Sequence, residues 1–133
     1  MSDTCWLRIN FARKDLDKFN EVLKDEIYNG EFWDEEDGDD EEIMATIYEA
    51  NHGWCREIES LAKAGLTFTV EHSAGAEYGP CAYACYHGEC IDVSTDNDGT
   101  PTVIAPKGCV DEKGLSQVKK YYEILDKIGG DTQ

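Results

Sequence analysis

Cys5-Trp6-Leu7-Arg8-Ile9-Asn10-Phe11, followed at once by residues 13–28, decides the fold class, because the apolar period changes between the two stretches. Over 5–11 the period is two. Leu7, Ile9 and Phe11 take one face of a strand, and Trp6, Arg8 and Asn10 take the other. Over 13–28 it lengthens to that of a helix, with Leu16, Phe19, Val22, Leu23 and Ile27 as the apolar stripe and Asn29-Gly30 as the stop. A strand feeding an amphipathic helix is the opening of an α/β unit.

The same alternation of periods continues outward. Residues 43–50 read as a second strand, Asn51-His52-Gly53 as a turn, and about 54–64 as a short helix with Trp54, Ile58 and Leu61 on one side. Leu66-Thr67-Phe68-Thr69-Val70-Glu71-His72 alternates as a third strand. Cys81–Tyr86 and Glu89–Thr95 flank His87-Gly88, a two-residue hairpin turn, so Ala82, Ala84, Tyr86, Ile91 and Val93 share a face and Cys81, Tyr83, Cys85, Cys90 and Asp92 share the other. A further short strand is expected at Thr102–Ala105 between Pro101 and Pro106. Asp111 suits the N-cap of a last helix, 112–128, with Leu115, Val118, Tyr122, Leu125 and Ile128 on one face and Gly129-Gly130 as its stop. The expectation is a single domain over 1–133: an α/β (α+β) two-layer sandwich with one mixed sheet of about five or six strands. Its order is βαβα, then a β-meander, then α, with the three helices on one face.

Between the first helix and the second strand lies a run of a different kind. Residues 31–42, Glu31-Phe32-Trp33-Asp34-Glu35-Glu36-Asp37-Gly38-Asp39-Asp40-Glu41-Glu42, hold nine acids and no base. The chain as a whole has 29 acidic and 12 basic residues, a net charge of −17. With the run set aside the balance is still −8, so the acidity is general with one sharp peak. Such a field repels nucleic acid and anionic membranes and attracts basic surfaces.

The remaining chemistry is sparse. Six cysteines are present, several inside expected strands, and Met1-Ser2-Asp3-Thr4-Cys5 has neither the basic nor the apolar region of a signal peptide. The expectation is a cytoplasmic protein with reduced thiols. Cys81, Cys85, His87 and Cys90 offer a ligand set zinc accepts, but Cys81 and Cys85 on one strand lie about 13 Å apart, too far to share a metal. Cys85 and Cys90 are instead a directly opposed pair within disulfide range. His52, His72 and His87 have no local partner that marks a catalytic base, and His72 continues the inward face of its strand. Calcium-loop alignments fail: Gly99 at the sixth position puts Ala105 at the twelfth, and Gly38 puts Met44 there. No phosphate loop is present. No catalytic residue, metal ligand or cofactor is assigned.

That leaves the run. Extended, its twelve residues span about 40 Å, roughly one charge per 4.4 Å, against one per 3.4 Å or so along a DNA strand. The charges lie within a Debye length of one another and act as one field. Phe32 and Trp33 add an apolar anchor of the type found at interface hot spots, unless Trp33 is core. The expectation is a non-enzymatic inhibitor that occupies a basic, nucleic-acid-binding surface of a partner protein. Glu31, Asp34, Glu35, Glu36, Asp37, Asp39, Asp40, Glu41 and Glu42 would stand in for phosphates, with Phe32 or Trp33 setting register. By class analogy such proteins are common among phage and plasmid anti-defence factors, including anti-CRISPR and anti-restriction proteins. The alternatives are an immunity protein against a basic nuclease toxin, and a thiol- or zinc-dependent protein centred on Cys81, Cys85, His87 and Cys90.

Overall fold

A computed structural model of the chain describes residues 4–23, 34–35, 41–51, 55–75 and 78–131. Among these residues six strands form one sheet: β1 (Thr4–Ala12), β2 (Asp34–Glu35), β3 (Glu42–Asn51), β4 (Phe68–His72), β5 (Cys81–Tyr86) and β6 (Glu89–Ser94). Three α-helices among the described residues accompany it: α1 (Leu16–Leu23), α2 (Cys55–Lys63) and α3 (Glu112–Asp131). The spatial order is β2-β3-β1-β4-β5-β6, and every neighbouring pair is antiparallel. The mixed α/β architecture expected from the periodicities is therefore present, but the sheet is antiparallel rather than mixed.

The reason is β2. This short strand reverses the chain once more before β3, so β3 returns between β1 and β2 instead of beside β1 in parallel. In the same way β1 lies between β3 and β4. The result is two interleaved split βαβ units over the first half of the chain. Helices α1 and α2 each bridge strands that run in the same direction with one antiparallel strand between them.

Register follows from the alternation. Phe11 pairs with Ile43 and Phe68, Ile9 with Ala45 and Val70, and Leu7 with Ile47 and His72. These side chains share one face, which α1 and α2 cover through Phe19, Leu23, Ile58 and Leu61. Phe19 is the centre of this layer. Its ring stacks on Phe11 at 4.0 Å and meets Phe68 edge-on at 5.9 Å. Burying each of these large side chains is worth about 1.5–3 kcal/mol.

Helix α3 packs on the opposite face, against β5 and β6, so the three helices do not share one side of the sheet. Ala82 and Ala84 are small enough for Tyr121 and Ile124 to sit flush on the strands, with Val118, Leu125 and Ile128 at the margin. The buried stripe is thus turned from the one expected: Tyr121 and Ile124 point inward, and Tyr122 is largely exposed. Asp111 caps α3 as expected, its Oδ1 accepting from the Lys113 N–H at 3.2 Å. Gly129-Gly130 does not stop the helix, which continues to Asp131. Residues 102–105 form no strand; the Ile104 carbonyl accepts from the Asp111 N–H and helps build the start of α3 instead. Among the described residues no helix is long and apolar enough to cross a membrane.

The β5–β6 turn is tied to the helical layer. His87 and Gly88 both take positive φ, as a tight hairpin demands, and the Gly88 N–H donates to the Leu66 carbonyl. A Cβ at Gly88 would lie 2.9 Å from the Ala62 carbonyl oxygen. Gly88→Ala is accordingly expected to cost about 1–3 kcal/mol in urea unfolding, through left-handed strain and a backbone collision. Gly129→Ala, in a helix with nothing within 4 Å, is expected to add about 0.5–1 kcal/mol.

Candidate functional site

Two groups of residues were candidates from the sequence, and they lie at opposite ends of the strand order. Four positions of the acidic run fall among the described residues. Asp34 and Glu35 form β2, paired with Thr46 and Ala45, and so make the outer edge of the sheet. Glu41 and Glu42 lead into β3, and both are exposed. The Glu41 carbonyl accepts from the Arg13 N–H at 2.8 Å, which ties this end of the run to the start of the α1 turn. The acidic segment between a helix and a strand is therefore in part an edge strand. Glu31, Phe32, Trp33, Glu36, Asp37, Asp39 and Asp40 lie outside the described residues, as do His52 and Trp54.

A sheet edge is where bare N–H and C=O groups invite pairing with another chain, and charged side chains are a usual defence against it. Acids at β2 serve that purpose whatever else they do. On the polar face of β1 and β3, Asn10 Oδ1 and Thr46 Oγ1 are buried without a hydrogen-bond partner among the described residues. On the same polar face the Arg8 guanidinium lies 5.0 Å from the centre of the Trp6 ring, a cation–π contact.

The cysteines fall at the other end. Cys85 and Cys90 are joined as a disulfide, with their Cα atoms 4.1 Å apart, where free thiols were expected. The two-residue turn explains it, because it sets them directly opposite across β5 and β6. Cys81 pairs with Ser94, two rungs along the same face, and His87 sits exposed in the turn. The sequence cluster Cys81, Cys85, His87 and Cys90 is thus spread along the hairpin. Among the described residues no group of three or more His, Cys, Asp or Glu side chains could hold a metal ion. Cys5 is buried in the core, and Cys55 and Cys109 are exposed.

Cys81 is held as a thiol. Burial pushes it up to about 11, and the Asp92 carboxylate adds to the effect. Its Sγ donates weakly to the Ala82 carbonyl. Tyr83 beside it is pushed up as well, first by burial and then by Cys81 and Asp92. A nucleophilic cysteine needs the opposite environment, one that favours the thiolate. His72, next to both, is buried as its strand position implied. Its Nδ1 donates to the Ser73 carbonyl at 2.9 Å, and its ring meets Tyr78 and Tyr83.

A raised thiol pKa in the folded state means the native protein keeps a proton that the unfolded chain gives up. The contribution is intact below the ordinary value of about 9 and is lost as pH rises towards about 11. Unfolding free energy is therefore expected to fall across that window in urea titrations, and Cys81→Ala is expected to flatten the lower part of the fall, before Tyr83 ionises. Iodoacetamide at about pH 8 is expected to label Cys55 and Cys109 at least about tenfold faster than Cys81. Compared with protein-family models, with curated proteins and with solved structures, the chain has no match, so its own residues carry the functional reading.

Proposed function

We propose that this protein is a non-enzymatic acidic inhibitor that binds a basic surface of a partner protein and keeps nucleic acid from it. The observation that carries the reading is the peak of charge: nine acids in twelve residues on a chain of net charge −17. The exposure of Glu41 and Glu42 and the edge position of Asp34 and Glu35 support it, since acids there can meet a partner without unfolding anything. Acids spaced along such a segment match phosphate spacing to within a factor of about two, and act together on a partner closer than a Debye length. In this reading Phe32 and Trp33 supply the apolar anchor, the partner is a basic nucleic-acid-binding protein, and the setting is the cytoplasm. A phage or plasmid anti-defence role, such as an anti-CRISPR or anti-restriction protein, is the biological class this chemistry suits. An immunity protein against a nuclease toxin would use the same surface on a different partner.

Capture from cell lysate on the immobilised protein tests the mechanism. Basic nucleic-acid-binding proteins are expected on the resin, released by added duplex DNA and by salt. Replacing Asp34, Glu35, Asp39 and Asp40 with Asn or Gln is expected to lower capture about tenfold or more at low salt while far-UV circular dichroism stays unchanged. Capture that is the same for both proteins at every salt concentration would overturn the electrostatic mechanism.

A further inference from the structure

Between the end of β4, the start of β5 and the end of β6 lies a cavity of about 400 Å³, lined by His72, Tyr78, Cys81, Tyr83 and Thr95 among others. That volume is within the range of small-ligand pockets. Its polar groups are specific. The His72 side chain is 7 % exposed, and its Nδ1 is committed to the Ser73 carbonyl. A carbonyl can only accept, so in the neutral ring Nδ1 carries the proton and Nε2 is left as an acceptor. No partner for Nε2 is found among the described residues. Thr95, 8 % exposed, also lines the cavity, and its hydroxyl makes no hydrogen bond among the described residues. Neither atom is among the fully buried, unpartnered polar atoms of the described residues, so both reach solvent in the cavity and can exchange water for the donors of a ligand.

The rest of the lining says what would complete them. Tyr78 and Tyr83 flank the imidazole, with ring centres 5.6 and 6.2 Å from it, and bring aromatic surface into the cavity. Among the described residues no Lys, Arg, Asp or Glu lines it. Asp92, opposite Tyr83 on β6, adds negative potential from the same sheet face, on top of the net charge of the chain. Burial and Asp92 together keep Cys81 and Tyr83 protonated, so neither adds a charge of its own. Hydrogen-bond acceptors, aromatic surface and a negative field select a flat cation rich in N–H donors. Such a group is attracted to ring faces and donates in its own plane.

We propose that this cavity is a binding site for a guanidinium or amidinium group, with His72 Nε2 and Thr95 Oγ1 accepting its N–H donors and Tyr78 and Tyr83 stacking on it. The site is three strands away from the acidic edge, beyond β3 and β1, and does not depend on that edge's function. The same chemistry can come from an arginine side chain of a protein or from a small free amidine.

Nuclear magnetic resonance titration of the whole protein distinguishes these sources and tests the site. The probes are benzamidine, the arginine-containing tripeptide acetyl-Gly-Arg-Gly-amide, and its lysine and citrulline counterparts. Saturable shifts at His72, Tyr83 and Thr95 with benzamidine or the arginine peptide are expected, with the citrulline and lysine peptides at least about tenfold weaker. Binding of the arginine peptide identifies a protein side chain as the source, and binding of benzamidine alone identifies a small amidine. His72→Phe keeps the ring volume and removes Nε2, and is expected to weaken binding about tenfold or more. Tyr78→Leu, on the half-buried loop, provides a second loss should the His72 variant fail to fold. The proposal is overturned by the absence of saturable shifts at these residues. It is equally overturned by citrulline or lysine peptides that bind as well as arginine, or by full binding to a folded variant.

Discussion

Strand β1 is hydrogen-bonded on both sides, and that double antiparallel pairing is the constraint on which the rest of the structure depends. Leu7, Ile9 and Phe11 each meet an inward partner on β3 and another on β4, and Leu7 and Ile9 are fully buried. A slip of one residue in either ladder would turn those side chains to the polar face, beside Thr46 and Thr69, and bring Arg8 and Asn10 into the core. With register held this strongly, α1 and α2 have one apolar surface to cover, and Phe19 between Phe11 and Phe68 locks them to it.

The same constraint places the acidic edge and the His72 cavity. Because β1 occupies the middle of the first four strands, β3 and β4 are pushed outward, and β2 is left as a free edge. An acidic segment there discourages association with like sheets and remains available to a positively charged surface. On the other side, β4 is extended by the β5–β6 hairpin, whose inner face is bound by the Cys85–Cys90 disulfide and whose outer face carries α3. The cavity around His72 arises at this junction, where the chain leaves β4 through residues 73–75 and returns at Tyr78 to start β5. Two ends of one sheet thus differ, one an edge strand of two acidic residues and the other a pocket flanked by aromatic rings.

Charge asymmetry and burial divide the work between them. The acids of 31–42 gain little from a rigid frame, since a field acts over several ångströms without close fit. The His72 cavity is the reverse case. Its chemistry rests on the Nδ1 bond to Ser73 and on the angles at which two tyrosines meet the imidazole, so it exists only while β4 and β5 are in register.

The elements that could be read from the chain are those whose signal is local. Alternation in 5–11, 66–72 and 81–95 follows directly from side chains pointing to opposite faces, and His87-Gly88 marks a two-residue turn because both positions need positive φ. The two faces of the hairpin and the Asp111 cap were legible for the same reason. Nothing local distinguished an edge strand within the acids, because Asp34 and Glu35 have poor strand propensity and pair only because β3 is already in place. Residues 102–105 read as a strand by composition, but the Ile104 carbonyl serves the start of α3. Tyr121 rather than Tyr122 turned inward because Ala82 and Ala84 leave room beneath it, a fact about strands some forty residues away. The sequence alone determined the charge, the periodicities and the turn chemistry, which depend on neighbours in the chain. Tertiary structure decided the antiparallel order, the side that α3 takes and the pocket around His72, because each depends on which distant surfaces exclude water together.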